Sequence, residues 1–188
     1  METRIREAPA GDWEMPDDAS VLTSLGQFVM AWSLVESTVE VCIAKQLGLT
    51  PLDGSIVTAG LQFRSRQALL ASLLARDPNP NTAAIAVLKE MGSIGDRNDI
   101  LHSVVGGSKA GVWFNRRKTG PNKFTSKIEK YDAARLMMLV LKCSTLASDL
   151  MTALDVSADD YKRFFQESHN AVNSDVTPPN SYPAVSSF

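Results

Sequence analysis

The amino-acid sequence predicts an all-α protein, a bundle of four main helices with one β-hairpin inserted before the last long helix. Apolar residues recur at helical spacings of three, four and seven along four segments. Glycine and proline separate those segments from one another. The strand pattern is confined to residues 112–114 and 124–128, which is too little for a sheet-based core.

The first predicted helix is the longest. Asp17 or Asp18 caps its start, and Gly48 ends it with the help of Pro51. Apolar residues at helical spacing define the face that we expect to be buried. They are Leu22, Leu25, Val29, Trp32, Val39 and Ile43.

The later helices follow from the same pattern. A second helical region covers residues 53–75, with Gly60 as the expected break. The third helix is predicted over residues 82–102 and the fourth over 131–154. A short fifth helix begins near Ser157.

These elements predict a domain organisation in which one bundle lies between two tails, and 188 residues suit one domain of that size. The predicted segments are a flexible arm (1–17), the bundle (18–156) with a basic hairpin insertion (103–130), a short C-terminal helix (157–170) and a disordered tail (171–188).

Composition excludes several classes of protein. The two cysteines, Cys42 and Cys143, lie in apolar helical segments and are expected to be buried, reduced thiols. No cysteine or histidine spacing suits a metal, so we expect no metal and no cofactor. The N-terminus lacks the apolar core of a signal peptide, and we expect no apolar stretch to be long enough to cross a bilayer. We therefore expect a cytoplasmic protein without membrane contact.

One stretch is strongly basic. Residues 103–128 contain no acidic residue and six positive charges, whereas the whole chain has a formal charge of −2, so the rest carries −8. Aromatic residues are interleaved with the charges, which is typical of a surface for an anionic partner. A solvated loop is the alternative interpretation. The basic residues are Lys109, Arg116, Arg117, Lys118, Lys123 and Lys127.

Immediately before that stretch stand the residues best suited to chemistry, Arg97, Asn98 and His102. Imidazole transfers protons near neutral pH, and guanidinium stabilises charge on a phosphoryl group. On a regular helix Asn98 and His102 lie about 40° apart, whereas Arg97 and His102 lie about 140° apart. A shared site therefore requires a distorted helix end or a second copy of the chain.

Glu36 is a carboxylate within the apolar stripe of the first helix. A carboxylate that faces a core needs a partner, and Arg97, Arg64 and His102 are the candidates. The alternative is that Glu36 lies at the edge of the stripe and reaches water.

Two segments resemble the HEPN domain family: Trp-Ser-Leu-Val-Glu at residues 32–36, and Arg-Asn-Asp-Ile-Leu-His at residues 97–102. The resemblance covers residues 17–154 and leaves out the hairpin and both tails. It implies a four- or five-helix bundle that dimerises. It also implies a metal-independent endoribonuclease, a toxin or an antiviral defence effector, with RNA, a second copy and an antitoxin or regulatory protein as partners.

The resemblance also implies roles. His102 would take the proton from an RNA 2′-hydroxyl or deliver one to the leaving 5′-oxygen. Arg97 would stabilise charge on the phosphate, and Asn98 would orient the imidazole or bind the phosphate. Glu36 is a supporting residue. Trp113 or Phe114 would stack on a base. The expected RNA-binding residues are Lys109, Trp113, Arg116, Arg117, Lys118 and Lys123.

Two other hypotheses stay open. One is a non-catalytic HEPN-like module that dimerises or binds a partner or a nucleotide, and the other is a helical adaptor unrelated to the family. Arg163 and His169 also fit the spacing of the motif, but a phenylalanine follows that arginine and the pair lies beyond the four-helix core.

Overall fold

The structure, a computed structural model, describes residues 19–94, 97, 100–101, 104–108, 111–120 and 123–174. The predicted N-terminal arm, residues 175–188 and the site residues Asn98, His102 and Lys109 lie outside the described residues. Within those ranges the chain is mostly helical. The elements are α1 (Ala19–Leu47), α2 (Pro51–Ala59), α3 (Phe63–Ala75), α4 (Thr82–Gly92), β1 (Val104–Ser108), β2 (Gly111–Gly120), β3 (Lys123–Tyr131), α5 (Ala133–Ala153) and α6 (Ala158–Ser174).

The predicted end of the first helix is confirmed. Gly48 adopts a left-handed conformation with φ of +62°, which suits glycine because it has no Cβ. The Gly48 N–H donates to the Lys45 carbonyl at 3.1 Å, and the Leu49 N–H donates to the Ala44 carbonyl at 2.9 Å. These bonds satisfy carbonyls that the end of a helix would leave unpaired. The break at Gly60 is also present, between α2 and α3.

The predicted buried face is wrong in the first half of α1. Val21 and Phe28 are buried there, whereas Leu22 and Val29 are 39 % and 45 % exposed. Apolar residues surround this part of the helix, so their spacing fits two faces that differ by about one residue. From Trp32 onwards the predicted face is buried as expected.

The third helix is shorter than predicted, because α4 ends at Gly92 rather than at His102. The Ser93 N–H closes the last turn by donating to the carbonyls of Glu90 and Met91. A Cβ on Gly92 would lie 2.3 Å from Gln67 Nε2, so this helix end is held close to α3. Arg97, along with residues 100 and 101, is helical again.

The sheet is larger than predicted. It contains three antiparallel strands in the order β1-β2-β3, and β1 was not expected because two glycines in its five residues favour a loop. Both predicted hairpin strands are present, and they extend until Gly120 pairs with Lys123. The strands are thus joined through Pro121 and Asn122, which lie outside the described residues.

The last two helices were predicted with different success. The fourth predicted helix is α5, and Asp132 caps it by accepting a hydrogen bond from the Arg135 N–H at 2.7 Å. The C-terminal helix α6 extends to Ser174, so the predicted start of the disordered tail at residue 171 is wrong. At its start the Asp160 N–H donates to Ser157 Oγ, and Ser157 N–H and hydroxyl donate to the Asp160 carboxylate. This reciprocal cap stabilises the first turn.

The described residues form two compact units: the first contains residues 19–32 and those described within 94–142, and the second contains residues 33–93 and 143–174. In the first unit Phe28, Trp32, Phe114, Tyr131 and Leu136 are buried. In the second, α2 packs closely on its neighbours through Gly54: a Cβ there would lie 2.6 Å from Ala44 Cβ and 3.0 Å from Phe164 Cε2.

Two helices, α1 and α5, are long and apolar enough to cross a bilayer by length and composition, so the expectation that no segment reaches this length is wrong. The most apolar window is 56 % buried within the protein in α1 and 28 % buried in α5. Core helices of water-soluble proteins meet the same criterion. Cytoplasmic localisation stays a prediction.

Candidate nucleic-acid interface

Arg97 is fixed against a buried aromatic ring of the same unit. Its guanidinium carbon lies 5.0 Å from the centre of the Trp32 ring, which is only 3 % exposed. Arg97 itself is half-buried. A guanidinium over an indole face is attracted by the ring quadrupole, and its N–H groups point in its own plane, away from the stacked face. Trp32 thereby sets the position of one of the three predicted catalytic residues.

Tyr131, the last residue of β3, packs in the core at the end of the sheet where all three strands are paired. Its ring meets Phe114 edge-on at 5.3 Å between ring centres, and both residues are 1 % exposed. The Arg135 guanidinium lies over the Tyr131 ring, 3.9 Å from its centre, and donates to the Lys130 carbonyl at 2.9 Å. Phe114 is thus a core residue, and the prediction that it stacks on an RNA base is wrong.

Beyond this end of the sheet β2 and β3 continue as a two-stranded ribbon. β1 pairs with β2 only at residues 111–115, whereas residues 116–120 pair only with residues 123–127. Five residues of strand span about 17 Å. Arg116 is paired with Lys127, and Lys118 with Thr125. The ribbon therefore carries most of the basic residues that the sequence singled out.

The register divides the predicted RNA-binding set between two faces. Successive residues of a strand alternate in face, and directly opposed residues share one. Arg116, Lys118 and Lys123 occupy positions on the face that begins with Phe114. Trp113 and Arg117 occupy positions on the other face. The sequence-based set consequently does not form one surface.

Trp113 is half-buried and covers its partner in β1. A Cβ on Gly106, which is paired with Trp113, would lie 2.0 Å from the indole ring. On the same face Ser126 donates a hydrogen bond to the Asn115 side chain at 2.6 Å. The indole thus packs on the β1 backbone. Stacking of Trp113 on a base stays a prediction.

The structure shows which carboxylate of α1 pairs with α3, and the partner of Glu36 stays a prediction. Arg66 forms an ion pair with Glu40 and donates to the Thr58 carbonyl at 3.1 Å. Burial raises the pKa of Glu40, Arg66 opposes that rise, and the nearby Glu36 carboxylate adds to it. Sequence analysis missed this pair because it weighed Glu36 alone as the carboxylate within the stripe.

The second match to the motif is an exposed stretch of α6. The Arg163 side chain is 66 % exposed and bonds to Asp160 at 3.1 Å, three residues before it on the same helix. His169 is exposed as well. Arg163 thus has a local partner within the first turns of α6.

The second unit also has a concave surface among its described residues. A cavity of about 410 Å³ lies where α1 ends and α2 begins, beside α6, and charges of both signs line it. Its Lys45 donates to the Asp155 carbonyl, and its Asp160 and Arg163 bond to each other. Within the described ranges no group of three or more histidine, cysteine or acidic residues is arranged to hold a metal ion.

The chain matches no protein-family model, no curated protein and no solved structure. The HEPN assignment consequently rests on the residues of this chain.

Proposed function

We propose that this protein is a metal-independent endoribonuclease of the HEPN type. The observation that carries the proposal is the stack of Arg97 on Trp32, in the same compact unit as the basic ribbon. A phosphate-stabilising group needs a fixed position, and a buried indole supplies one. In the sequence His102 lies five residues after Arg97 and directly before the basic segment, so both groups that the reaction needs belong to one short stretch of the chain.

In the proposed reaction the RNA 2′-hydroxyl attacks the adjacent phosphorus and the 5′-oxygen of the next nucleotide leaves. His102 takes the hydroxyl proton or protonates the leaving oxygen. Arg97 stabilises the charge that develops on the phosphate, and Asn98 orients the imidazole or binds a phosphate oxygen. The substrate holds its own nucleophile close to the phosphorus. The products are a 2′,3′-cyclic phosphate and a 5′-hydroxyl.

We further propose that the active form is a homodimer, in which a second copy resolves the poor geometry of Arg97 and His102 within one helix. Large apolar side chains of the first unit support this proposal: Met30, Met138 and Leu141 are 74 %, 70 % and 62 % exposed. Burying each such side chain is worth about 1.5–3 kcal/mol. A second copy is one surface that could bury them.

The dimer is tested by light scattering on Leu141→Glu, which should shift the protein to monomer. Ile56→Glu is the matched control, because Ile56 is 65 % exposed in the second unit. A monomeric wild type, or equal effects of the two variants, would contradict the proposed interface.

The biological setting is also a proposal. A toxin or antiviral effector that cuts RNA acts in the cytoplasm, under the control of an antitoxin or another regulatory protein. RNA is the substrate, and no cofactor takes part.

The chemistry is tested by incubating the protein with mixed single-stranded RNA in EDTA and analysing the product ends. We expect cleavage that leaves 2′,3′-cyclic phosphate, and no cleavage of DNA of the same sequence, because DNA lacks the 2′-hydroxyl. Cleavage of both polymers would contradict the mechanism. RNA that stays intact at every protein concentration would favour the non-catalytic HEPN-like module.

A further inference from the structure

The register of the ribbon gathers positive charge on one of its faces. One face of the ribbon continues from the buried residues Phe114 and Tyr131. The basic residues at positions of this face are Arg116, Lys118, Lys123 and Lys127. The other face of the ribbon holds one basic residue. Lys127 belongs to the basic stretch but not to the RNA-binding residues predicted from the sequence, and its importance follows only from its pairing with Arg116.

This arrangement works against the stability of the hairpin. Arg116 and Lys127 are directly opposed, and like charges at opposed positions of an antiparallel pair repel one another. Residues 103–128 contain no carboxylate, and Glu129, the next acidic residue on this face, forms an ion pair with Arg135 at 3.4 Å. A bound polyanion would neutralise both charges at once.

We propose that this face, the Arg116–Lys127 face, binds successive phosphates of one single-stranded RNA chain. The inference rests on the proposed function for the identity of the polymer. It also removes Arg117 from the RNA-binding set and adds Lys127, because Arg117 is paired with Ser126 on the opposite face.

The dimensions of the face favour one strand over a duplex. Same-face residues are about 6.7 Å apart along a strand and about 5 Å apart across the pair. The four basic positions thus occupy three successive rows of the ribbon, a strip of backbone about 13 Å long and two strands wide. Such a strip follows one phosphodiester chain, whereas an RNA duplex presents two backbones across a groove.

Two adjacent arginines provide a matched test. Arg116→Gln and Arg117→Gln remove the same charge from neighbouring positions of β2, but from opposite faces. Both are made in protein that carries His102→Ala, so that the probe is not cut. Binding of a short fluorescein-labelled oligouridylate is measured by anisotropy over a range of salt concentrations.

For single strands the logarithm of affinity falls with the logarithm of salt by about 0.7 per phosphate contact. We expect Arg116→Gln to reduce this slope by about 0.7 and Arg117→Gln to leave it unchanged. Replacing all four residues of the face by glutamine should reduce it by about 2.8. Melting temperatures of the variants verify folding, and Arg116→Gln should melt no lower than its parent, because it removes a repulsive pair.

Equal slopes for the two single variants would overturn the inference, and so would a larger slope reduction with duplex RNA than with the oligouridylate. Both results are independent of cleavage. If wild-type protein cuts RNA but the two variants bind the oligouridylate alike, the proposed RNA-binding face is refuted and the proposed endoribonuclease is not. If the two variants differ in binding but wild-type protein cuts no RNA, the proposed endoribonuclease is refuted and the RNA-binding face is not.

Discussion

The stack of Arg97 on Trp32 makes a quantitative prediction about the candidate site. Trp32→Leu removes the indole face, Arg97→Gln removes the charge, and the double variant removes both. Because Trp32 is 3 % exposed and Arg97 is half-buried, the pair lies between the exposed and desolvated limits of a cation–π interaction. We expect a coupling energy of about 1–2 kcal/mol.

The coupling is measured by equilibrium unfolding of the four proteins in urea. Trp32→Leu also loses buried area, at a cost of about 2–3 kcal/mol, and the double-mutant cycle cancels that loss. If the losses of unfolding free energy in the two single variants add up to the loss in the double variant within about 0.5 kcal/mol, the stack is refuted.

The same perturbation has a catalytic consequence, because Trp32 touches Arg97 rather than substrate. Trp32→Leu keeps all three proposed catalytic residues but releases the guanidinium from its position. We expect RNA cleavage to fall by about tenfold to a hundredfold, mainly in kcat, with partial recovery in Trp32→Phe. Equal rates in Trp32→Leu and Trp32→Phe would contradict a positioning role.

Three further predictions concern the packing of α2 and the pH dependence of stability. Gly54→Ala should lower the free energy of unfolding by about 1–3 kcal/mol through overpacking. Gly26→Ala, with nothing within 4 Å of its added Cβ, should raise it by up to about 1 kcal/mol. Melting temperatures that change in the same direction in both variants would contradict the close packing of α2. Burial raises the pKa of Cys42 from 9.0 to about 12, so wild-type stability in urea should fall between pH 9 and 12 more steeply than that of Cys42→Ala, and parallel curves would refute this. Hydrogen bonds from Ser157 lower the pKa of Asp160 from 3.8, so the stability difference between wild type and Asp160→Asn should be present at pH 7 and vanish as the pH falls through the acid range. A difference that persists in acid would contradict it.

Sequence analysis predicted the helical character and most of the helix ends, because glycine and capping residues act locally. Gly48, Gly60 and Asp132 mark boundaries that the structure confirms. The predictions were wrong where contacts between elements decide which helix face is buried and where a helix ends. The exposed Leu22 belongs to an equally apolar alternative face of α1, and α4 ends early at Gly92, where the chain lies close to Gln67.

The candidate site was predictable in composition but not in arrangement. Charge and aromatic content identify the basic segment, whereas only the strand register shows that Arg116 and Arg117 occupy opposite faces. Phe114 resembles a stacking platform in the sequence, yet the edge-on contact with Tyr131 makes it core. The role of Trp32 as a support for Arg97 depends on a contact between residues far apart in the chain.

RNA cleavage in EDTA by His102→Ala tests the central claim most directly, with His169→Ala as the matched control. The chain has two histidines, and His169 is exposed on α6 in the second unit. Loss of a general acid–base group costs about a hundredfold to ten-thousandfold in rate. We predict that loss for His102→Ala with unchanged melting temperature, and wild-type cleavage for His169→Ala. Wild-type cleavage by His102→Ala, or equal loss in both variants, would contradict the proposed endoribonuclease.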